Sequence, residues 1–146
     1  MYWYISFFLF VLIKVSCVAE PINVLFWDEQ QKEQKQAYDG LYIGQYIAKC
    51  LETDEGINLT LQNSADIDSG VSSELLNKTD VLVYWSHKKK KPFSEAKSQE
   101  IAELVKAGKM NFLVLHSAHW ALPFMVCMEE KAKQDALERL PKTERA

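Results

Sequence analysis

The sequence predicts an α/β fold built on an open, mainly parallel, doubly wound sheet. Short apolar runs alternate with amphipathic stretches along the chain, and strands that alternate with helices pair in parallel through right-handed crossovers. The apolar runs at residues 22–27 and 81–85 are nearly continuous, as expected of strands that are covered on both faces, whereas the run at residues 57–61 alternates. The 146 residues, 48% hydrophobic and 25% charged, are enough for one globular domain.

The predicted elements follow one another without an internal repeat. Strands are predicted at residues 22–27, 57–61, 81–85 and 111–115. Helices are predicted at residues 30–52, 72–78, 94–107 and 124–140, where apolar residues recur at helical spacing. Ser72 is the expected N-cap of the second helix, and Gly108 is expected to end the third. In a flavodoxin-like strand order the first and third strands are neighbours at the switch point, where ligands tend to bind.

An apolar leader precedes the first strand. Residues 1–13 are almost wholly apolar and are followed by Lys14. This run is too short to cross a bilayer comfortably but has the length of the apolar core of a signal peptide. We therefore expect residues 1–19 to be a signal peptide cleaved after Ala19, and residues 20–146 to be an exported domain, periplasmic or secreted. Only an uncleaved leader would attach the chain to a membrane.

Charge and cysteine content exclude two broad classes. The net charge is −3, and a protein that binds nucleic acid usually presents a basic face, so no nucleic-acid partner is expected. Removal of the leader leaves Cys50 and Cys127. Two cysteines in apolar, helix-like surroundings predict buried free thiols rather than a disulfide framework.

All three histidines of the chain lie just after predicted strands. His87 follows the third strand, and His116 and His119 follow the fourth. Asp28 and Glu29 follow the first. Because the carboxyl ends of parallel strands face the binding crevice of an open α/β sheet, we expect these side chains to form a site.

Two chemistries for this site stay open. His116 and His119, spaced i and i+3, could join His87 in binding zinc or another divalent ion, with a carboxylate completing an open site. Alternatively, His116 or His119 could act as a general acid or base tuned by Asp28 or Glu29. The two carboxylates could also simply begin the first helix, whose dipole favours acidic residues.

Other side chains at the strand ends are candidates for substrate contact. Trp27, Trp85 and Trp120 offer flat apolar rings of the kind against which sugars stack, although core packing would use them equally well. Ser86 and Ser117 stand beside the histidines. A serine hydrolase is disfavoured, because the HSAH sequence lacks the G-x-S-x-G elbow that exposes a nucleophile.

Five blocks of the sequence resemble the trehalose-utilisation (ThuA-like) family. They are INVLFWDEQQ, GLYIGQYIA, TDVLVYWSH, LVLHSAHWALPF and DALERLPKTERA. The resemblance covers residues 21–146 and implies a class I glutamine amidotransferase-like fold and a role in disaccharide or glycoside utilisation. Amidotransfer itself is not expected, because His116-Ser117-Ala118 occupies the turn where an amidotransferase keeps its cysteine nucleophile.

The chain departs from that family in two ways. Family members are longer, so the resemblance implies a truncated, N-terminal part of the family fold. Ser86 stands where the family tends to place glycine, and its hydroxymethyl group is expected to narrow the crevice near His87. Three functions therefore stay open: an enzyme-like domain that acts on a small carbohydrate, a carbohydrate- or protein-binding module without catalysis, and an inactive fragment. The oligomeric state also stays open.

Overall fold

A parallel sheet forms the centre of the domain. The computed structural model describes residues 19–66, 70–88 and 92–144. Within these ranges the strands are β1 (Ile22–Asp28), β2 (Ile57–Asn63), β3 (Val81–Trp85) and β4 (Asn111–Leu115). They pair in parallel in the order β2-β1-β3-β4. The predicted α/β class, the parallel pairing and the adjacency of β1 and β3 are confirmed. Apart from Ala19, the leader lies outside the described residues, and its cleavage stays a prediction.

Helices flank the sheet on both faces. They are α1 (Ile43–Leu51), α2 (Ser73–Asn77), α3 (Glu95–Lys106) and α4 (Leu122–Arg139). The hydroxyls of Ser72 and Ser94 cap α2 and α3, each accepting a backbone N–H at 3.1 Å. Gly108 follows α3 with a φ of 66°, as a helix-terminating glycine should. None of the helices in the described ranges is long and apolar enough to cross a membrane.

The long first helix predicted at residues 30–52 is wrong. A 3-10 helix at Lys32–Ala37 and the α-helix α1 replace it. Between them Asp39 and Gly40 have φ angles of 51° and 79°, in the left-handed region that ends a helical run. The break allows α1 to begin at Ile43, beside the carboxyl end of β1.

Two apolar cores lie on opposite faces of the sheet. Alternate residues of a strand point to opposite faces, so Trp27 belongs to one core and Phe26 to the other. The larger core packs β1 and β3 against α2 and α3 through Leu76 and Ile101. The smaller core packs the other face against α1. These two cores hold the ends of β1 and β3 in fixed positions beneath the loops that follow them.

Candidate functional site

A polar crevice lies at the switch point, where β1 and β3 end side by side. Its volume is about 410 Å³, within the range of about 300–1,000 Å³ typical of ligand pockets. The loops after β1, β2 and β3 and the start of α1 form its walls. The lining residues are Glu29, Gln30, Gln31, Lys32, Glu33, Tyr42, Ser64, Ala65 and Lys88.

Asp28 shapes the turn that opens this crevice. Its Oδ1 accepts the backbone N–H of Gln30 at 2.6 Å, and its Oδ2 accepts that of Gly44, in the first turn of α1, at 2.8 Å. The first bond closes a local turn in which Gln30 has a φ of 60°, a left-handed conformation that is unfavourable for a residue with a side chain. The Asp28 carboxylate thus fixes the turn and caps α1.

Burial raises the pKa of the Asp28 carboxyl above its ordinary value of 3.8. The N–H groups of Gly44 and Gln30 act in the opposite direction, and the neighbouring charge of Glu29 adds to the rise. The side chain is 4% exposed, so loss of hydration dominates. A raised pKa suits a proton-transfer role, but both oxygens already accept backbone hydrogen bonds.

Glu29 binds the loop after β3. Its Oε2 accepts the Ser86 hydroxyl at 2.8 Å and the backbone N–H of His87 at 2.6 Å. The backbone N–H of Lys88 lies 3.0 Å from Oε2 and 3.2 Å from Oε1, and the Gln31 amide donates to Oε1 at 3.1 Å. These donors suffice for the roughly four acceptor positions of a carboxylate. The bonding of Glu29 favours an architectural role over proton abstraction.

Ser86 does not narrow the crevice, contrary to the sequence-based expectation. The residue is 2% exposed, and its hydroxyl donates to Glu29 rather than facing the crevice. A buried hydroxyl so bonded is poorly placed to contact a substrate directly. In this chain the serine at that position adds a bond between the loops after β1 and β3.

Trp27 and Trp85 lie in the cores rather than in a substrate pocket. Trp27 is 0% exposed and stacks on Tyr84 with ring centroids 4.7 Å apart. Trp85 is 2% exposed and lies in the opposite core. Neither ring has a free face for a sugar, so the predicted substrate contact of both residues is replaced by a packing role.

The loop after β4 forms a separate surface. A 3-10 helix spans His116–Trp120, and Trp120 is 63% exposed. His119 lies against Trp120, with ring centroids 5.2 Å apart. Together with Phe124, Met125, Met128 and Glu129 they line an apolar groove. None of the described side chains of this loop lines the crevice. The side chains of His116 and Ser117 lie outside the structural description, and their predicted roles are untested.

The predicted metal site likewise stays a prediction. His87 and His119 are exposed at the ends of β3 and β4. Among the side chains that the structure describes, no three histidine, cysteine, aspartate or glutamate residues are grouped closely enough to hold a metal ion. The side chain of His116, the third predicted ligand, is not part of that set.

Sequence reasoning missed several residues of the crevice. Tyr42 lines it, and the Lys35 ammonium lies 4.3 Å from the centre of its ring. Lys88 extends from the opposite wall, and its ammonium pairs with the Glu33 carboxylate at 2.7 Å. The erroneous long helix concealed Tyr42, because it placed this residue in mid-helix. The break at Asp39-Gly40 was the signal that could have corrected the assignment.

A second, larger cavity lies between the amino ends of α2 and α3. Its volume is about 750 Å³, and Ser72, Ser94 and Lys97 are among its lining residues. Gly70 and Pro92, which also line it, adjoin ranges 67–69 and 89–91, which the structure does not describe. Lys97 already pairs with Glu100 at 2.6 Å. The crevice at the switch point is therefore the better-defined candidate.

Fold and crevice together define a flavodoxin-like α/β domain with a polar crevice at its switch point. No protein-family model matches the chain, and no curated protein matches it. The assignment of a function therefore depends on the residues of the site.

Proposed function

We propose that the chain is an exported ThuA-like domain that binds a small carbohydrate, of the disaccharide or glycoside class, in the crevice between β1 and β3. The observation that carries the proposal is the composition of this crevice. Amide, carboxylate, ammonium and hydroxyl groups surround it, together with one aromatic ring. Such a mixture suits a ligand that is rich in hydroxyl groups and has one apolar face.

The charge of the crevice supports a neutral ligand. The described lining of the crevice includes two acidic residues, Glu29 and Glu33, and two basic ones, Lys32 and Lys88. Glu33 and Lys88 form an ion pair, so these four side chains leave no net charge. A phosphorylated ligand would require a surplus of positive charge or a bidentate arginine. Gln30 and Gln31 can both donate and accept hydrogen bonds, as sugar hydroxyls do.

Tyr42 supplies the apolar contact that the buried tryptophans cannot. Lys35 lies over its ring at 4.3 Å, and the residue is partly exposed. The cation occupies one face of the ring, and the opposite face can pack against the C–H face of a sugar. The carboxylates of Asp28 and Glu29 are both engaged by hydrogen-bond donors of the protein, which favours a binding domain over an enzyme.

Calorimetric titration with disaccharides tests the proposal. Tyr42→Ala should abolish measurable binding, since it removes the only aromatic ring among the described residues that line the crevice. Tyr46→Ala is the matched control, because Tyr46 lies one turn further along α1, against Tyr38. Trp120→Ala tests the separate groove after β4. Loss of binding in Trp120→Ala but not in Tyr42→Ala would move the site to that groove. A wild-type chain that binds no disaccharide or glycoside would refute the proposal.

Export has an independent test. The full chain, expressed with its leader in a secreting host, should be recovered outside the cytoplasm with Glu20 as its first residue. A product that keeps residues 1–19 and sediments with membranes would show an uncleaved anchor instead.

A further inference from the structure

We propose that Glu29 is a positioning residue, which fixes residues 86–88, the described start of the loop after β3, and thereby holds Lys88 in the wall of the crevice. The effect on ligand binding rests on the proposed function, whereas the effect on the loop does not. Both effects follow from the way in which this one buried carboxylate joins the loops around the crevice.

Two backbone N–H groups just after β3 have a side-chain carboxylate, that of Glu29, as their hydrogen-bond acceptor. β3 ends at Trp85. In the loop that follows, the backbone N–H groups of His87 and Lys88 both donate to the Glu29 carboxylate. Consecutive N–H groups that point to one spot form a concave anion site. Here a side-chain carboxylate occupies it. The two amides are partly buried, so loss of this acceptor would leave them without part of their hydrogen bonding and carries a free-energy cost.

Glu29 is itself anchored from several directions. Its backbone N–H donates to the Trp85 carbonyl at 3.1 Å, and its own carbonyl accepts the Ser64 hydroxyl at 3.1 Å. Gln31 and Ser86 hold the carboxylate from either side. The loops after β1, β2 and β3 therefore meet at this residue, which is 5% exposed.

The position of Lys88 follows from this anchorage. Its backbone is bound to Glu29, and its side chain extends to Glu33 on the facing wall, with 2.7 Å between Nζ and Oε1. Glu33 and Lys88 both line the crevice. If the Lys88 backbone were no longer bound to Glu29, the Lys88 ammonium would no longer be held in one position. The shape of the crevice would then vary with the position of this side chain.

Amide hydrogen exchange, followed by NMR in the full chain, tests the loop directly. Glu29→Gln replaces one carboxylate oxygen, a hydrogen-bond acceptor, by an NH₂ group, which can only donate. The His87 and Lys88 amides would lose acceptor positions, so their hydrogen exchange should accelerate about tenfold. Amides of the α3 core, such as those of Ile101 and Leu104, should keep their wild-type rates. Glu33→Gln is the matched control: it removes the exposed ion pair and should leave the His87 and Lys88 amides unchanged.

A second variant separates charge from geometry. Glu29→Asp keeps the negative charge but is shorter by one methylene group, so it should accelerate the same two amides. Wild-type exchange in Glu29→Asp or Glu29→Gln would overturn the proposal. Equal acceleration throughout the domain, or loss of the fold in both variants, would also overturn it, because Glu29 would then act on global stability.

Ligand binding supplies the test of positioning. Glu29→Gln should weaken disaccharide binding about tenfold in the wild-type background and hardly at all in Lys88→Ala, because the residue acts through Lys88. If Glu29→Gln weakened binding by the same factor in both backgrounds, the two residues would act independently, and the proposed action of Glu29 through Lys88 would be wrong. If no disaccharide binds the wild-type chain, the proposed function fails, while the exchange data still decide whether Glu29 holds the loop.

Discussion

The Oδ2 atom of Asp28 lies 2.8 Å from the backbone nitrogen of Gly44. This bond joins the last residue of β1 to the first turn of α1, across a chain separation that includes a 3-10 helix and a left-handed turn. The carboxylate thereby satisfies an N–H that has no partner within the helix. It also brings strand and helix so close that position 44 has little room for a side chain.

Gly44→Ala should destabilise the domain by about 1 kcal/mol. A Cβ atom at this position would lie 3.1 Å from both Asp28 Oδ2 and Phe26 Cδ1. Phe26 is fully packed, and overpacking costs roughly 1–3 kcal/mol, against a gain in helix propensity of up to about 1 kcal/mol. Urea unfolding measures the difference. A variant more stable than wild type would show that α1 can shift away from β1 freely.

Asp28 should make stability fall as pH rises. Because its pKa in the folded protein lies above the ordinary 3.8, ionisation costs folding free energy. The contribution of Asp28 to the free energy of unfolding is complete below the ordinary pKa of 3.8 and is lost as pH rises through the raised pKa of the folded protein. The unfolding free energy of wild type minus that of Asp28→Asn should therefore decrease from about pH 3 to about pH 7. An increase in this difference over the same pH interval would mean that the hydrogen bonds from Gly44 and Gln30 lower the pKa of Asp28 by more than burial raises it.

Gln30→Gly should stabilise the fold and weaken binding. A left-handed residue with a side chain costs roughly 1 kcal/mol, and glycine relieves part of this cost. The same change removes an amide from the crevice wall. We expect a gain of up to about 1 kcal/mol in unfolding free energy, with a higher Kd for the disaccharide. Unchanged affinity would show that Gln30 does not reach the ligand.

The two cysteines of the domain should differ in reactivity. Both are free; Cys50 is exposed on α1, contrary to the expectation that both are buried, whereas Cys127 is partly buried against α3. Burial raises the pKa of the Cys127 thiol to about 11, so its thiolate population near neutral pH is very small. Cys50→Ser should abolish a rapid phase of labelling by a thiol dye that Cys127→Ser leaves intact. The reverse pattern would place Cys127 in solvent.

The predicted divalent-metal site is tested by elemental analysis. If His116 and His119 bind zinc together with His87, the chain loaded with zinc and desalted should keep about one ion, and a His116→Ala/His119→Ala variant should keep none. The variant must remain folded by circular dichroism. Equal metal content in the two proteins would contradict the assignment.

The sheet could be predicted from sequence because its strands are short apolar runs. Leu25, Phe26 and Trp27 are buried on both faces, as expected of a strand between two helical layers. The first helix was predicted incorrectly, because its apolar spacing continues past Asp39 and Gly40 and only that turn-forming pair signals the break. There backbone conformation, rather than the apolar pattern, decides where the helix ends.

For part of the predicted site, the location of the residues could be predicted from sequence, but their contacts could not. Sequence order placed Asp28, Glu29 and His87 at adjoining strand ends, and the structure does so too. The direction in which each side chain points was not predictable, since it depends on partners far away in the chain. Ser86 bonds to Glu29 across 57 positions, and neither residue reveals that bond through its local sequence.

The strand order has one more consequence, for how the domain can be built into larger proteins. The crevice lies between the two inner strands, while β2 and β4 form the margins of the described sheet. A margin strand can accept another strand along its free backbone groups. Additional strands, helices or whole domains can therefore be attached at either side while the three loops joined by Glu29 keep their places. In this topology, strands can be added at either margin without displacing β1 and β3, the two strands that border the crevice.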